Sequence, residues 1–160
     1  MVVALGCNLP GAYTSREALL EAAVAALAGE GLAVVARSGW WTSAAWPDPS
    51  GPAYLNGVAL VETELSPAGA LAALHRVEAA FGRARSERNA ARTLDLDLIA
   101  HGRTVMDGNL VLPHPRAHER LFVMGPLAEV APDWIHPVLG KSAVLLAADA
   151  EVGGDARPVG

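Results

Sequence analysis

The segment Thr93-Leu94-Asp95-Leu96-Asp97-Leu98-Ile99-Ala100 alternates leucine with aspartate through its centre. A period of two is typical of a β-strand, in which neighbouring side chains point to opposite faces of a sheet. The three leucines therefore face a core, and the two aspartates lie together on the other face, about 6.6 Å apart at ~3.3 Å per residue. Carboxylates at that spacing repel each other, and a divalent cation between them removes the repulsion. A solvated strand face would also tolerate them, so the alternation alone leaves both interpretations open.

Outward from this strand, the chain is predicted to run β-α-β-β-α-β. The predicted elements are a buried strand over 2–7, a helix capped by Thr14 and Glu17, a strand over 32–43, a strand over 54–65, a helix from Ser66-Pro67 to Gly82, and the strand over 93–100. This order indicates an α+β, ferredoxin-like antiparallel sheet with helices packed on one face. A C-terminal extension follows, with a hairpin or turn near 101–109 and a final helix over 141–150. We expect one domain over 1–150 and a frayed tail over 151–160.

Composition excludes several classes of protein. The chain has 160 residues, 52 % of them hydrophobic, with a formal charge of −5. Disordered chains have low hydrophobicity and high charge density, and general nucleic-acid binders usually have a positive net charge, so both classes are excluded. The single cysteine, Cys7, excludes a disulfide framework and is expected to be a buried apolar residue rather than a nucleophile. Because no signal peptide or membrane-length apolar run is visible, we expect a cytoplasmic protein without membrane contact.

Charge is concentrated immediately before the aspartate-bearing strand. Arg83, Arg85, Arg88 and Arg92 fall within one ten-residue stretch of an otherwise acidic chain. A solvated cationic loop is one interpretation, and a site for an anionic ligand is the other, because the arginine guanidinium matches phosphate oxygens. Cations for phosphates and carboxylates for their metal, close together in the chain, are what phosphoryl transfer requires. Since no phosphate-binding P-loop is present, side chains would have to hold the phosphates.

At these residues the sequence resembles the 6-hydroxymethyl-7,8-dihydropterin pyrophosphokinases of folate biosynthesis. The similarity is carried by RNAARTLDLDLI at 88–99, LGCNL near the start, YLNGV at 54–58, EAAFGR at 78–83 and LPHPRAHERLFVMGPLAEVAP at 112–132. The resemblance implies an ATP-dependent diphosphotransferase that moves pyrophosphate from ATP to the hydroxymethyl group of a reduced pterin and releases AMP. It also implies two Mg²⁺ ions between Asp95, Asp97 and the ATP phosphates.

The resemblance assigns roles to further residues. Those implied to contact ATP are His75, Arg83, Arg85, Arg88, Arg92, His114 and Arg120. Those implied to hold the pterin are Tyr54 and Phe122 by stacking, Asn56 at the ring edge, Thr42 through backbone groups, and Asp95. Arg83 and Arg92 join the two aspartates as implied catalytic residues. The loops 44–53 and 84–91 are expected to order when ATP and pterin bind.

Four positions depart from the family pattern. Cys7 stands where serine is usual, His75 where glutamine is common, Asn89 where well-known bacterial members have tryptophan, and Pro115 where some have an aromatic residue. Asn89 removes a stacking surface from the loop that closes over the substrates. A neutral histidine has one hydrogen-bond donor and one acceptor, so His75 can still form hydrogen bonds to a nucleotide.

Two other functions remain as alternatives. The first is a nucleotide- or metal-binding module of the same fold that has lost catalysis. The second is a ferredoxin-like domain that binds single-stranded RNA through aromatic residues of its sheet. The aspartate pair and the net charge both disfavour RNA. For the enzyme, the expected partners are ATP and a reduced pterin, with no nucleic acid and no membrane, and we expect a monomer.

Overall fold

The computed structural model describes residues 1–45, 50–82 and 94–159, and an antiparallel sheet lies at its centre. The elements are β1 (Val2–Cys7), α1 (Arg16–Leu27), β2 (Ala33–Arg37), β3 (Trp41–Ser43), β4 (Tyr54–Glu62), α2 (Pro67–Ala80), β5 (Asp95–Ala100), β6 (Met106–Asp107), β7 (Val111–Leu112), α3 (Leu121–Val130), α4 (Ala143–Asp149) and β8 (Arg157–Pro158). Short 3-10 helices cover Ala28–Glu30 and Ala117–Glu119. Strands β6 and β7 form a hairpin that lies a few residues beyond the turn or hairpin predicted near 101–109.

The sheet has the strand order β5-β1-β4-β3-β8, and β2 also pairs with β4. Since β2 and β3 pair with successive parts of β4, they share one position beside it. The four predicted strands therefore lie in the order fourth, first, third, second, with every pairing antiparallel. This confirms the ferredoxin-like α+β prediction.

Helices cover both faces of the sheet. On one face, α1 and α2 pack on β1, β4 and β5 around residues such as Leu5, Leu74 and Leu96. On the other face, α3 and α4 pack around Val58 and Met124. The prediction of helices on one face was therefore wrong, because the C-terminal extension supplies the second layer. Burial on both faces explains why every residue of β1 is apolar or glycine.

The strand predicted over 32–43 is two strands with an interruption between them. The buried Ser38 breaks the pairing, because its hydroxyl accepts a hydrogen bond from the Val58 N–H at 3.0 Å and donates to the Gly39 carbonyl at 2.7 Å. Two consecutive tryptophans follow the interruption and face opposite sides of the sheet, as neighbours in an extended segment do. Trp40 lies over Gly57, where an added Cβ would be 2.4 Å from the ring, and Trp41 packs against α3. Apolar residues on both sides of Arg37-Ser38-Gly39 led to the prediction of one continuous strand.

Helix α1 begins one residue later than predicted. Ser15 is the N-cap, and its side chain accepts a hydrogen bond from the Ala18 N–H at 3.0 Å. The predicted capping box of Thr14 and Glu17 was wrong, because the adjacent Ser15 has the extended backbone of an N-cap and its hydroxyl takes that place. The cap predicted at Ser66 is confirmed.

The tail predicted to fray over 151–160 is instead part of the sheet as far as the structure describes it. Strand β8 pairs with β3, so that Arg157 lies opposite Thr42 and Pro158 opposite Trp41. The Val159 N–H extends the pairing by donating to the Trp40 carbonyl at 2.9 Å. The polar, glycine-rich composition of the tail suggested disorder, but backbone hydrogen bonding requires no apolar pattern.

Cys7 faces the core between the sheet, α1 and α2, as expected for a buried apolar residue. Burial raises the pKa of its thiol to about 12. We therefore expect no modification of the native protein by iodoacetamide at pH 8, and complete modification in denaturant. Intact mass after each incubation measures this, and rapid labelling of the folded protein would contradict it.

His136 is buried in the C-terminal extension and holds a tight turn. Its Nδ1 accepts hydrogen bonds from the N–H groups of Val138 and Leu139, at 3.2 and 3.0 Å. Burial, with a smaller contribution from neighbouring His118, lowers the pKa of His136. The unfolded chain binds a proton here near pH 6.5, at about the usual histidine pKa, while the folded chain resists it. The free energy of unfolding should therefore fall as the pH drops below about 6.5.

The variant His136→Asn retains an acceptor oxygen but does not titrate. Between pH 7.5 and 5.5, the free energy of unfolding should fall more steeply in the wild type than in His136→Asn. The two slopes should differ by up to about 1.4 kcal/mol per pH unit. Urea unfolding at both pH values measures the difference. Parallel pH profiles for the two proteins would show that His136 does not contribute.

Candidate functional site

A polar cavity of about 400 Å³ lies along β5, which forms one edge of the sheet. It is lined by Leu71, His75, Asp95, Leu96, Asp97, Leu98, Asn109, Leu110, Val111, His114, Pro115 and Arg120. These residues come from α2, β5, the β6–β7 hairpin and the segment that leads into α3. Five of them are predicted site residues, namely His75, Asp95, Asp97, His114 and Arg120. Folding thus brings together residues separated by up to 45 positions in the chain.

Asp95 and Asp97 lie on the same face of β5, as the alternation predicted. Asp95 pairs with Gly6 of β1, and Asp97 pairs with Ala4. Both aspartates are half-buried, and both neighbours on β1 are small. Small neighbours leave the carboxylates open to the cavity rather than covered by β1 side chains.

The donor set fits Mg²⁺ only if a substrate completes it. Within residues 1–45, 50–82 and 94–159, no group of three or more His, Cys, Asp or Glu side chains could hold a metal ion. Two carboxylates on one strand match the way in which Mg²⁺ is bound by one or two protein carboxylates together with water and substrate phosphates. Asp95 and Asp97 are therefore suited to a metal that arrives with a polyphosphate.

His114 and Arg120 lie together on one side of the cavity. The His114 N–H donates to the Ile99 carbonyl at 2.8 Å, which attaches this segment to β5. Burial and the nearby Arg120 charge lower the pKa of His114, so its ring is neutral at pH 7. Its Nδ1 accepts a hydrogen bond from the Arg116 N–H at 3.2 Å, which leaves the proton on Nε2. His114 can therefore donate one hydrogen bond to a ligand, and Arg120 supplies the charge.

A second group of predicted residues lies further across the same face of the sheet. Asn56 of β4 pairs with Gly6 on one side and Trp41 on the other. Since Gly6 also pairs with Asp95, one row of the sheet runs Asp95, Gly6, Asn56, Trp41. Adjacent strands are about 4.8 Å apart, so Asp95 and Asn56 are about 10 Å apart across the glycine. Gly6 therefore places no side chain between Asp95 and Asn56 on this face.

The amide of Asn56 has a defined orientation. It is buried, and its Nδ2 donates to the Ser43 hydroxyl at 2.9 Å. Its Oδ1 points toward Gly6, where an added Cβ would be 3.4 Å away. The sequence analysis identified Asn56 but missed Ser43, because the contact joins two strands.

The remaining predicted pterin residues lie near this row. Tyr54 shares the face of Asn56 two residues along β4, and half-buried Phe122 lies in the first turn of α3 on the same side of the sheet. The Arg120 guanidinium is 5.8 Å from the Phe122 ring centroid, so these two residues connect the two groups. Thr42 pairs with Leu55, whose side chain faces the opposite core. The Thr42 side chain therefore lies on the face away from Asn56, and the role of its backbone groups stays a prediction.

The other predicted residues lie outside the described part of the chain. These are Arg83, Arg85, Arg88, Arg92 and Asn89, together with the whole of the 84–91 loop and residues 46–49 of the 44–53 loop. Their roles stay predictions.

The buried Glu78 of α2 supports the aspartate strand. It is 1 % exposed, and its Oε2 accepts a hydrogen bond from the Leu96 N–H at 2.9 Å. Leu96 lies between the two aspartates, so this bond fixes the outer edge of β5 beside the cavity. A glutamate in the apolar stripe of a helix was the available sequence signal, but it was interpreted only as a helical spacing.

Glu78→Ala should lower the free energy of unfolding by about 1–3 kcal/mol, because it leaves the buried Leu96 N–H without its acceptor. Glu78→Gln keeps an acceptor oxygen in the same place and should recover most of that loss. Urea unfolding of both variants tests this, and equal destabilisation would mean that the Leu96 bond is not the stabilising contact.

Comparison with known proteins points to one family. The family model 7,8-dihydro-6-hydroxymethylpterin-pyrophosphokinase (HPPK) matches residues 2–132. The chain is 42 % identical over 147 residues to a 2-amino-4-hydroxy-6-hydroxymethyldihydropteridine pyrophosphokinase of Synechocystis sp., covering 91 % of this chain and 73 % of the relative. It is 41 % identical over 133 residues to the enzyme of that name from Methylorubrum extorquens, covering 82 % of each chain.

Solved structures give the same fold. A crystal structure of Plasmodium falciparum HPPK-DHPS matches with a TM-score of 0.72 at 13 % sequence identity, covering 92 % of this chain. The present chain spans 44 % of that longer protein. The family match over most of the chain and the identity to these two relatives together show that this chain belongs to the 7,8-dihydro-6-hydroxymethylpterin-pyrophosphokinase family.

Proposed function

We propose that the cavity along β5 binds ATP and that the row across Gly6 binds the reduced pterin. As a member of its family, the chain is an ATP-dependent diphosphotransferase that transfers pyrophosphate to a hydroxymethyldihydropterin in folate biosynthesis. The observation that carries our assignment is the convergence of His75, Asp95, Asp97, His114 and Arg120 on one cavity.

The reaction joins the two ligands at the β-phosphorus of ATP. The pterin hydroxymethyl oxygen forms a bond to that phosphorus, the bond from it to the α,β-bridging oxygen breaks, AMP leaves, and the hydroxyl proton is released. Asp95 lies between the two proposed sites, so it is placed where the hydroxymethyl group would meet the phosphates. The protein mainly positions the two reactants in line, as is general in phosphoryl transfer.

Each side chain has a role that follows from its surroundings. Asp95 and Asp97 would hold Mg²⁺, which when bound neutralises phosphate charge and favours ionisation of a coordinated hydroxyl. Arg120 stabilises phosphate charge through its guanidinium, and neutral His114 donates a hydrogen bond from Nε2. His75 lies on the α2 side of the cavity, where it can bind the nucleotide. We propose two metal ions, following the resemblance, with Arg83, Arg85, Arg88 and Arg92 as further phosphate contacts.

On the pterin side, Asn56 provides an amide for the polar edge of the ring, and Tyr54 and Phe122 provide aromatic faces for stacking. Thr42 contributes backbone groups. The RNA-binding alternative is disfavoured, because α3 and α4 pack on the sheet face that RNA would need.

A direct assay tests the proposed function. The purified protein is incubated with ATP, Mg²⁺ and 6-hydroxymethyl-7,8-dihydropterin, and the nucleotides are separated by chromatography. We expect AMP and the pterin diphosphate in equal amounts, and neither product without the pterin or with EDTA. Formation of ADP in place of AMP would contradict pyrophosphate transfer, and absence of turnover would favour the module that has lost catalysis.

We also propose a cytoplasmic monomer, on the basis of the sequence. Among the described residues, none of the helices is both long enough and apolar enough to cross a membrane. Sedimentation equilibrium would test the oligomeric state, and fractionation of the source cells would test the location.

A further inference from the structure

The C-terminal tail contacts the proposed pterin site at several points, although it lies beyond the family match at 2–132. Its first contact brackets Arg120. The Val152 N–H donates to the Glu119 carbonyl, and the Leu121 N–H donates to the Val152 carbonyl, both at 2.9 Å. The start of α3 therefore depends on the tail for its position.

The second contact is between Gly153 and the Phe122 ring. Gly153 has a φ of +71°, a backbone conformation that side chains rarely adopt. An added Cβ would lie 2.5 Å from Cδ1 and 3.1 Å from Cε1 of Phe122. The bare backbone of Gly153 is thus packed against the ring, and only glycine satisfies both the conformation and the space.

The third contact holds the end of β3. The Asp155 Oδ2 accepts a hydrogen bond from the Ala44 N–H at 2.7 Å. Ala44 is the first residue after β3, next to Thr42 and Ser43 and at the start of the loop expected to close over the pterin. The pairing of Arg157 with Thr42 continues this attachment along the edge of β3.

We propose that residues 152–159 form a positioning strap for the pterin site, with Gly153 setting the Phe122 ring and Asp155 setting the end of β3. The contacts at Phe122 and at the end of β3 hold elements assigned to the pterin, and the contact at Val152 flanks Arg120 of the ATP cavity. The other cavity residues, such as His75 and Asp97, belong to α2 and β5, which the strap does not contact through the hydrogen bonds and packing described above. The strap therefore acts on pterin binding more than on ATP binding. This inference rests on the proposed function.

Asp155 provides the first test. Asp155→Ala removes a charge-assisted hydrogen bond and should raise the KM for the pterin about tenfold. The KM for ATP should remain within about twofold, because the ATP cavity keeps its residues. Asp155→Asn retains an oxygen that can accept from Ala44 and should restore the pterin KM, which a general loss of stability would not do.

Gly153 provides the second test, with Gly140 as its matched control. Gly140 has a φ of +67° but nothing within 4 Å of an added Cβ. Both alanine variants therefore carry the same backbone strain, and only Gly153→Ala displaces Phe122. We expect a lower Tm in both variants, with the larger decrease in Gly153→Ala because its Cβ also overlaps the Phe122 ring. The dissociation constant of the pterin should increase about tenfold for Gly153→Ala alone.

The outcomes distinguish a failure of the proposed strap from a failure of the proposed function. A selective effect on the pterin in Asp155→Ala and Gly153→Ala supports the strap. Parallel changes for ATP and pterin, or equal pterin binding by Gly153→Ala and Gly140→Ala, would overturn it while leaving the proposed function intact. Failure of the wild-type protein to bind the pterin would instead overturn the proposed function and, with it, the strap.

Discussion

Replacing Asp95 or Asp97 with asparagine or alanine is expected to lower kcat by about a thousandfold, the scale of removing a principal electrostatic contact to the reacting groups. Both carboxylates line the cavity, and the described chain provides no third acidic or histidine ligand in a metal-binding group. Each aspartate is therefore hard to replace as a metal ligand. Asparagine keeps the size of the side chain, so a loss of activity in that variant reports the charge.

Asp133→Asn is a suitable control, because it removes an exposed carboxylate beyond α3 and away from the cavity. It should retain wild-type activity. All variants should unfold cooperatively in urea, with the leucine face of β5 still packed in the core. AMP release at the wild-type rate from either aspartate variant would show that the pair does not hold the metal.

Asn56→Ala should raise the KM for the pterin about 30- to 100-fold, with little change for ATP, because losing a buried hydrogen-bonding partner costs about 2–3 kcal/mol. The selectivity follows from position, since Asn56 lies two strands away from β5 and does not line the cavity along it. Steady-state kinetics with each substrate varied in turn separates the two KM values.

Ser43→Ala serves as the matched variant for this prediction. It leaves the Asn56 amide in place but removes the hydroxyl that orients it, so the pterin KM should rise by a smaller factor, about three- to tenfold. Equal pterin KM values in the wild type and Asn56→Ala would show that another group recognises the edge of the ring. A similar rise in both KM values would indicate a structural role for Asn56.

The alternating pattern was sufficient to predict the site face of β5. Side chains alternate by backbone geometry alone, so Leu96 and Asp97 had to face opposite sides in any sheet that contained this strand. The order of elements and the antiparallel sheet were predictable for a similar reason. Short-range periodicity and helix caps such as Ser66 are local properties that the sequence carries within a few residues.

Contacts between distant segments were not predictable in this way. The break at Ser38 depends on a hydroxyl that meets Val58 of another strand, and the second helical layer depends on where α3 docks. Glu78 was visible as a glutamate in an apolar stripe, but its partner, the Leu96 N–H, is defined only when α2 lies beside β5.

By itself, the sequence determined the strands and helices, the common face of Asp95 and Asp97, and a motif long enough to identify the family. Only the tertiary structure decided that His75, His114 and Arg120 join those aspartates in one cavity, and that the tail at Gly153 and Asp155 reaches Phe122 and Ala44. The physical reason is that side-chain direction is set by the local backbone. The meeting of distant segments is instead set by packing and backbone hydrogen bonds summed over the whole fold, which no short pattern contains.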